Sequence, residues 1–275
     1  MKQGEVINLG KHRLMCGDVT NPDDVAKLMQ GFHAKILFTS PPYADLLEYN
    51  GCDTTIEQLI KFIPNTKDYV DAMCINLGIT KKNFEIIQYW DKYISEAKSC
   101  NLKLLSWNVW DKTFPGSISQ QRMMFPLRHE FIFVFGEKPY KLNRTIPKRN
   151  RPNRDKRSMR KRRQKNGTMK FTSANHQVHE LNKQLETVVA IPSERGPIRS
   201  KHPAVMPVAL PIEYIKAMTN EGDYVLDTFA GSGSTLIACE RTNRKCLAME
   251  ISEKYCDVIT ERYFNETRQL NIWED

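Results

Sequence analysis

The stretch from Tyr224 to Thr267 constrains the fold most. Tyr224 to Leu226 is a short apolar run, and it breaks into Asp227-Thr228-Phe229-Ala230-Gly231-Ser232-Gly233-Ser234-Thr235. Helical spacing follows over Ser234 to Arg241, a second apolar run over Lys245 to Glu250, and an amphipathic pattern over Glu253 to Thr267. Periodicity thus switches from strand to helix and back, with glycines at the first switch. Strand–helix–strand units of this kind build parallel sheets with helices on both faces. The expected fold class is α/β, a Rossmann-like doubly wound sheet.

Glycines let a backbone turn tightly and approach a ligand closely. The turn is not the full dinucleotide fingerprint, because Leu236 stands where its third glycine belongs. No Gly-Lys-Ser/Thr follows, which disfavours a triphosphate loop. Glu250 ends the next strand, where a carboxylate can accept hydrogen bonds from both hydroxyls of a ribose. A solvated strand-end acid is the bland alternative.

A second punctuation mark lies far upstream. Ala34 to Phe38 reads as a buried strand and stops at Thr39-Ser40-Pro41-Pro42-Tyr43. Consecutive prolines lack amide donors and cannot continue a central strand. Around it, Arg13 to Cys16 is a short apolar run ending in Gly17-Asp18. Asn21-Pro22-Asp23-Asp24 reads as a helix start, with acids near the positive end of the helix dipole. Ala44 to Lys82 is weakly patterned and predicts a loop with one or two short helices. Asn83 to Lys98 predicts a helix, Leu102 to Val109 and Phe131 to Phe135 strands, and Pro211 to Met218 a helix.

Charge is unevenly spread. The chain carries +9, yet Lys141 to Lys170 holds fourteen Lys or Arg against Asp155 alone. That stretch is +13 and the remainder is −4. Such asymmetry points to a polyanionic partner. Pro139 to Pro197 is rich in Arg, Lys, Asn and Pro, and reads as an inserted module whose clearest apolar segment is Thr187 to Ile191. The domain reading is therefore 1–138, a basic module 139–197, and 198–275. The seven cysteines show no C-x-x-C spacing, so neither a disulfide framework nor a zinc site is expected, and no metal. His176 and His179 are read as loop or DNA-facing residues. No apolar run reaches the roughly 20 residues a membrane span needs, and Met1 to Lys11 lacks the apolar stretch of a signal peptide. A soluble, cytoplasmic protein is expected.

Asp-x-Phe-x-Gly-x-Gly-x-Thr over Asp227 to Thr235 resembles the cofactor loop of DNA amino-methyltransferases. Ser40-Pro41-Pro42-Tyr43 resembles their Asp/Asn/Ser-Pro-Pro-Tyr/Phe catalytic tetrapeptide. With the tetrapeptide first, the basic module next and the cofactor loop last, the chain is similar to the permuted β class. The resemblance covers about Leu14 to Gly136 and Ser200 to Phe264. It implies S-adenosylmethionine as cofactor and a circularly permuted methyltransferase sheet with an inserted target-recognition module. It also implies double-stranded DNA as partner, a bacterial nucleoid or phage-infected cell as setting, and room for a homodimer and a cognate restriction nuclease.

Site roles follow from the same resemblance. Asp227, Phe229, Ala230, Gly231, Ser232, Gly233, Ser234 and Thr235 would wrap the methionine part of the cofactor, and Glu250 would hold its ribose. Asp18 would lie near the adenine, Thr39 beside the pocket, and His202-Pro203 would cap it. An exocyclic amine is a poor nucleophile, because its lone pair is delocalised into the ring. The Ser40 side-chain oxygen and the Pro41 carbonyl are suited to accept its hydrogens and concentrate that lone pair. The prolines rigidify the loop, and Tyr43 offers a ring on which an extruded base can stack.

Arg149, Arg151, Arg154, Arg157, Arg160, Arg162 and Arg163 would contact phosphates. Asn150, Arg151, Asn153, Asn175, His176 and Gln177 are candidate base readers. Serine at the first tetrapeptide position is commonest among members forming N4-methylcytosine, so cytosine N4 is the first choice and adenine N6 the alternative. RNA or protein methylation, and a DNA-binding pseudoenzyme, are disfavoured readings.

Overall fold

Residues alternate between two cores along each central strand. Leu14 and Cys16 enter one core and Met15 the other. Ile36 and Phe38 oppose Leu37, Val225 opposes Leu226, and Ile132 and Val134 oppose Phe133 and Phe135 in the same way. A sheet with both faces buried follows from this pattern, since successive side chains leave a strand on opposite sides. The computed structural model describes residues 1–42, 55–113, 125–147, 160–164, 167–172, 182–194 and 205–271.

The strands are β1 (Val6–Leu9), β2 (His12–Cys16), β3 (Ile36–Thr39), β4 (Met73–Leu77), β5 (Lys81–Lys82), β6 (Glu85–Ile86), β7 (Lys103–Asp111) and β8 (His129–Gly136). After them come β9 (Arg144–Pro147), β10 (Arg160–Arg163), β11 (Met169–Thr172), β12 (Asn182–Gln184), β13 (Val188–Ala190), β14 (Tyr224–Asp227) and β15 (Lys245–Glu250). The helices are α1 (Pro22–Met29), α2 (Ile56–Leu59), α3 (Phe62–Thr66), α4 (Trp90–Ser99), α5 (Ala209–Met218), α6 (Ser234–Arg241) and α7 (Glu253–Asn271).

The main sheet runs β1-β2-β15-β14-β3-β4-β8-β7-β13. From β2 to β4 all neighbours are parallel, and β8 is antiparallel to both β4 and β7. From β14 the chain passes through α6 to β15 on one side, whereas β3 leads to β4 on the other. β14 and β3 are direct neighbours, so their carboxyl ends flank the switch point, where open α/β sheets bind ligands. The doubly wound expectation holds. The helix start at Asn21 holds too: its side chain accepts from the Asp23 amide at 3.0 Å, and Pro22 opens α1.

Two local expectations need correction. The weakly patterned stretch before Lys82 contains β4, a central strand buried at every position. Burial on both faces removes the alternation that marks a strand, and Asn76 interrupts its apolar run. The helix expected from Asn83 begins at Trp90. Asn83 and Phe84 instead take φ of 51° and 68° at the turn of the β5–β6 hairpin. Phe84, Ile87 and Ile94 match helical spacing without sharing a helix. The polar stretch at the amino terminus also holds a strand that its composition does not signal: β1 pairs antiparallel with β2.

The basic stretch supplies more than one element. β13 joins the main sheet parallel to β7. β9 and β12 pair beside α5, where the Asn143 amide nitrogen donates to the carbonyls of Lys216 at 3.1 Å and Thr219 at 2.9 Å. β10 and β11 form a separate hairpin. Among the described residues, Cys16, Cys74, Cys239, Cys246 and Cys256 are buried free thiols.

Candidate active site

Two segments that the sequence keeps far apart are bonded at the switch point. The Thr39 hydroxyl, at the end of β3, donates to Asp227 Oδ1 at 2.7 Å. The same hydroxyl oxygen accepts from the Phe229 amide at 3.1 Å, and that amide also reaches Asp227 Oδ1 at 3.2 Å. Thr39 and Asp227 are buried. Burial pushes the Asp227 carboxyl up to about 6, while the Thr235 and Thr39 hydroxyls and the Phe229 amide hold it back. Asp227 thus clamps the start of the glycine loop to the strand that carries Ser40.

The loop itself is shaped by its glycines. Gly231 and Gly233 take φ of 52° and 80°, the left-handed region that favours glycine. A Cβ on Gly233 would stand 3.1 Å from the Ile259 side chain. The Ala230 amide donates to the Met249 carbonyl at 3.0 Å, which ties the loop to β15. Ser234 Oγ donates to the Met206 carbonyl at 2.6 Å, and Thr235 is fully buried. The half-buried Phe229 ring meets Phe62 of α3 edge-on, with centroids 5.3 Å apart. Asn65, also on α3, donates to the carbonyls of Val19 and Thr20 at 3.0 Å each. The weakly patterned segment, expected to hold one or two short helices, thus walls one side of the site with α3.

Glu250 ends β15 beside the loop. Its carboxylate accepts from the Gly231 amide at 2.7 Å and the Ser252 amide at 3.0 Å. Burial pushes this carboxyl up to about 7, against the pull of those amides. A buried acid raised in this way is stabilised by further hydrogen-bond donors, such as ribose hydroxyls. Cys16 pairs with Glu250 in the parallel register, which brings Asp18 to the same edge. Asp18 Oδ1 accepts from the Thr20 amide and hydroxyl, each at 2.8 Å. Left-handed glycines, the tied loop amides and two raised carboxyls fit a nucleoside-type cofactor. Among the described residues no cluster of three or more potential metal ligands occurs.

One contributor escaped the sequence. Arg262 of α7 donates from one terminal nitrogen to the Ser232 carbonyl at 2.8 Å, Ser234 Oγ at 3.2 Å and Ser232 Oγ at 3.3 Å. It grips the glycine loop from the outside. Nothing in its local sequence separates it from the other charges on that amphipathic helix.

Ser40 and Pro42 are half-buried and Pro41 is buried, directly beyond β3. The Ser40 hydroxyl bonds across to Asn76 of β4. Tyr43, His202, Pro203, Arg149, Arg151, Arg154 and Arg157 lie outside the described residues, as do Asn150, Asn153, Asn175, His176 and Gln177. Arg160, Arg162 and Arg163 are on β10.

A family model described as DNA methylase, for N6 and N4 amino-methyltransferases, matches residues 34–261. The chain belongs to the N6/N4 DNA methylase family. Its methyl donor is S-adenosylmethionine. This methylase is 28% identical over 243 residues to the orphan methyltransferase M.BamHII of Bacillus amyloliquefaciens, covering 82% of this chain and 87% of that one. It is 26% identical over 260 residues to the type II methyltransferase M.HpaI of Haemophilus parainfluenzae, covering 92% and 74%. Among solved structures, the methylase fold is similar to the cytosine-N4-specific PvuII DNA methyltransferase, with a TM-score of 0.63, 15% identity and coverage of 95% and 93%. It is also similar to M1.HpyAVI in complex with SAM, with a TM-score of 0.60, 19% identity and coverage of 90% and 97%. No described helix is long and apolar enough to cross a membrane.

Proposed function

We propose that this DNA methylase transfers the methyl group to N4 of a cytosine flipped out of duplex DNA. The observation that carries the choice is a neutral hydroxyl, Ser40, at the head of the tetrapeptide and at the carboxyl end of β3. The Asn76 carbonyl stands 3.4 Å from its oxygen, within reach of the hydroxyl hydrogen, and the oxygen has a second lone pair with which to accept. With the Pro41 carbonyl it would accept the two hydrogens of the target amine and free the nitrogen lone pair for attack. Bound S-adenosylmethionine supplies an already activated methyl, so the protein's task is alignment. The Thr39–Asp227 bond supports this, because it couples amine-binding strand and cofactor loop directly.

The remaining roles belong to the same proposal. Asp18, Asp227 to Thr235 and Glu250 hold the cofactor, with His202 and Pro203 closing over it. Tyr43 stacks on the extruded base. The arginines between Arg149 and Arg163 engage phosphates, which supplies affinity and salt dependence but little sequence information. Residues 139–197 read the target sequence, and the protein works in the cytoplasm on host DNA.

Expression in a host lacking its own methylases, followed by nucleoside mass spectrometry of genomic DNA, tests the choice of base. N4-methylcytosine is expected. N6-methyladenine alone would overturn the choice of cytosine.

A further inference from the structure

Asn76 is a polar side chain at 1% exposure in β4, a strand otherwise built from Met73, Cys74, Ile75 and Leu77. A sheet position of this kind is most cheaply filled by an apolar residue, because a buried amide must find partners. Asn76 Nδ2 donates to Glu130 Oε2 at 2.6 Å and to Ser40 Oγ at 3.2 Å. In return, Ser40 Oγ donates to the Asn76 carbonyl at 3.4 Å. Glu130 lies on the adjacent β8, 6% exposed, and its other oxygen is paired with Lys112 just beyond β7. Asp111, next to Lys112, is held in turn by Arg128 through two bonds of 2.7 and 2.6 Å.

The direction of this chain follows from charge. The Glu130 carboxylate can only accept, so the Asn76 amide must face it with nitrogen. The reversed amide would set two acceptors against each other in a buried place. With Nδ2 so turned, Ser40 Oγ receives a hydrogen from Asn76, and the Asn76 backbone carbonyl lies 3.4 Å away as an acceptor for its own. A glutamate one strand further away thus bears on the Ser40 hydroxyl through the Asn76 amide.

We propose that Asn76 and Glu130, with Lys112 holding Glu130, are positioning residues that lock the Ser40 hydroxyl in its accepting orientation. They touch neither base nor cofactor and act through Ser40. This rests on the reading of Ser40 as an acceptor for the target amine.

The test is a double-mutant cycle on the full chain. Single-turnover methylation of unmethylated genomic DNA would be measured for Ser40→Ala, Asn76→Ala and the double variant, beside cofactor affinity and melting temperature. Misplacing one acceptor should slow each single variant about 10- to 100-fold with cofactor affinity unchanged. The double variant should be no more than about twofold slower than Ser40→Ala, because Asn76 has nothing left to position. Multiplicative losses would overturn the proposal, as they would mark an independent structural effect. So would an Asn76→Ala protein that keeps full activity. A fully active Ser40→Ala would instead sink the reading of Ser40 itself. Should Asn76→Ala fail to fold, Glu130→Gln keeps side-chain volume and enters the same cycle with the same expected pattern.

Discussion

Raising the pH should tighten cofactor-product binding through Glu250. This carboxyl is 7% exposed, and burial lifts it from an ordinary 4.5 to about 7. At pH 6 only about one molecule in ten carries it ionised, and at pH 8 about nine in ten. Ribose hydroxyls donate best to the ionised form, so bound cofactor should keep Glu250 ionised across this range. The affinity for S-adenosylhomocysteine should then rise about tenfold from pH 6 to 8, or ~1.4 kcal/mol. Binding near pH 7 should release about half a proton, because about half the sites are protonated there beforehand.

Titration calorimetry in two buffers of different ionisation enthalpy measures both quantities. Asp227 titrates lower, at about 6, so the slope above neutrality belongs to Glu250. Glu250→Gln should abolish that slope and the proton release. Flat wild-type affinity, or an unchanged slope in Glu250→Gln, would refute the assignment. The sign for stability is opposite. A folded-state value above the unfolded one means the native protein binds more protons between about 4.5 and 7. The cofactor-free protein should lose up to about 3 kcal/mol from this group as pH rises through that window.

Thr39→Val removes the hydroxyl bonded to Asp227 and to the Phe229 amide. It should cost about 1–3 kcal/mol in urea unfolding and raise the Asp227 carboxyl further; unchanged stability would show that the clamp is idle. Arg262→Met keeps the aliphatic stem but loses the grip on Ser232 and Ser234. Cofactor affinity should fall about tenfold, as losing one or two charge-assisted bonds implies, and a dissociation constant equal to wild type would contradict the role given to that arginine. Replacing Arg160, Arg162 and Arg163 with serine should flatten the salt dependence of DNA binding by about 0.9 in log–log slope for each phosphate no longer neutralised. An identical slope would make β10 a bystander.

Legibility in the sequence tracks the range of the interaction concerned. Asn21 capping α1, the glycine turn after β14 and the proline stop after β3 depend on residues a few positions apart, and all three can be read directly. β4 cannot, because a strand buried on both faces carries no alternation and Asn76 dilutes its apolar run. The hairpin at Lys81 to Ile86 mimics a helix because Phe84, Ile87 and Ile94 happen to match helical spacing. Arg262 and Asn76 are invisible for a different reason. An arginine on an amphipathic helix and an asparagine in a weak segment acquire meaning only from what lies against them.

By itself, the sequence determined the two chemical loops and the acid that ends β15. Hydrophobic period, glycine and proline act over a few residues, and the resemblance to amino-methyltransferases rests on those local patterns. Tertiary structure alone decided that the loops meet. Thr39 and Asp227 stand 188 positions apart, yet hydrogen-bond at 2.7 Å because β3 and β14 are parallel neighbours in the sheet. It also decided the protonation of the site. Burial, which no local pattern reports, lifts Asp227 and Glu250 toward neutrality, and the neighbouring strand brings the Asn76 amide within 3.2 Å of the Ser40 hydroxyl.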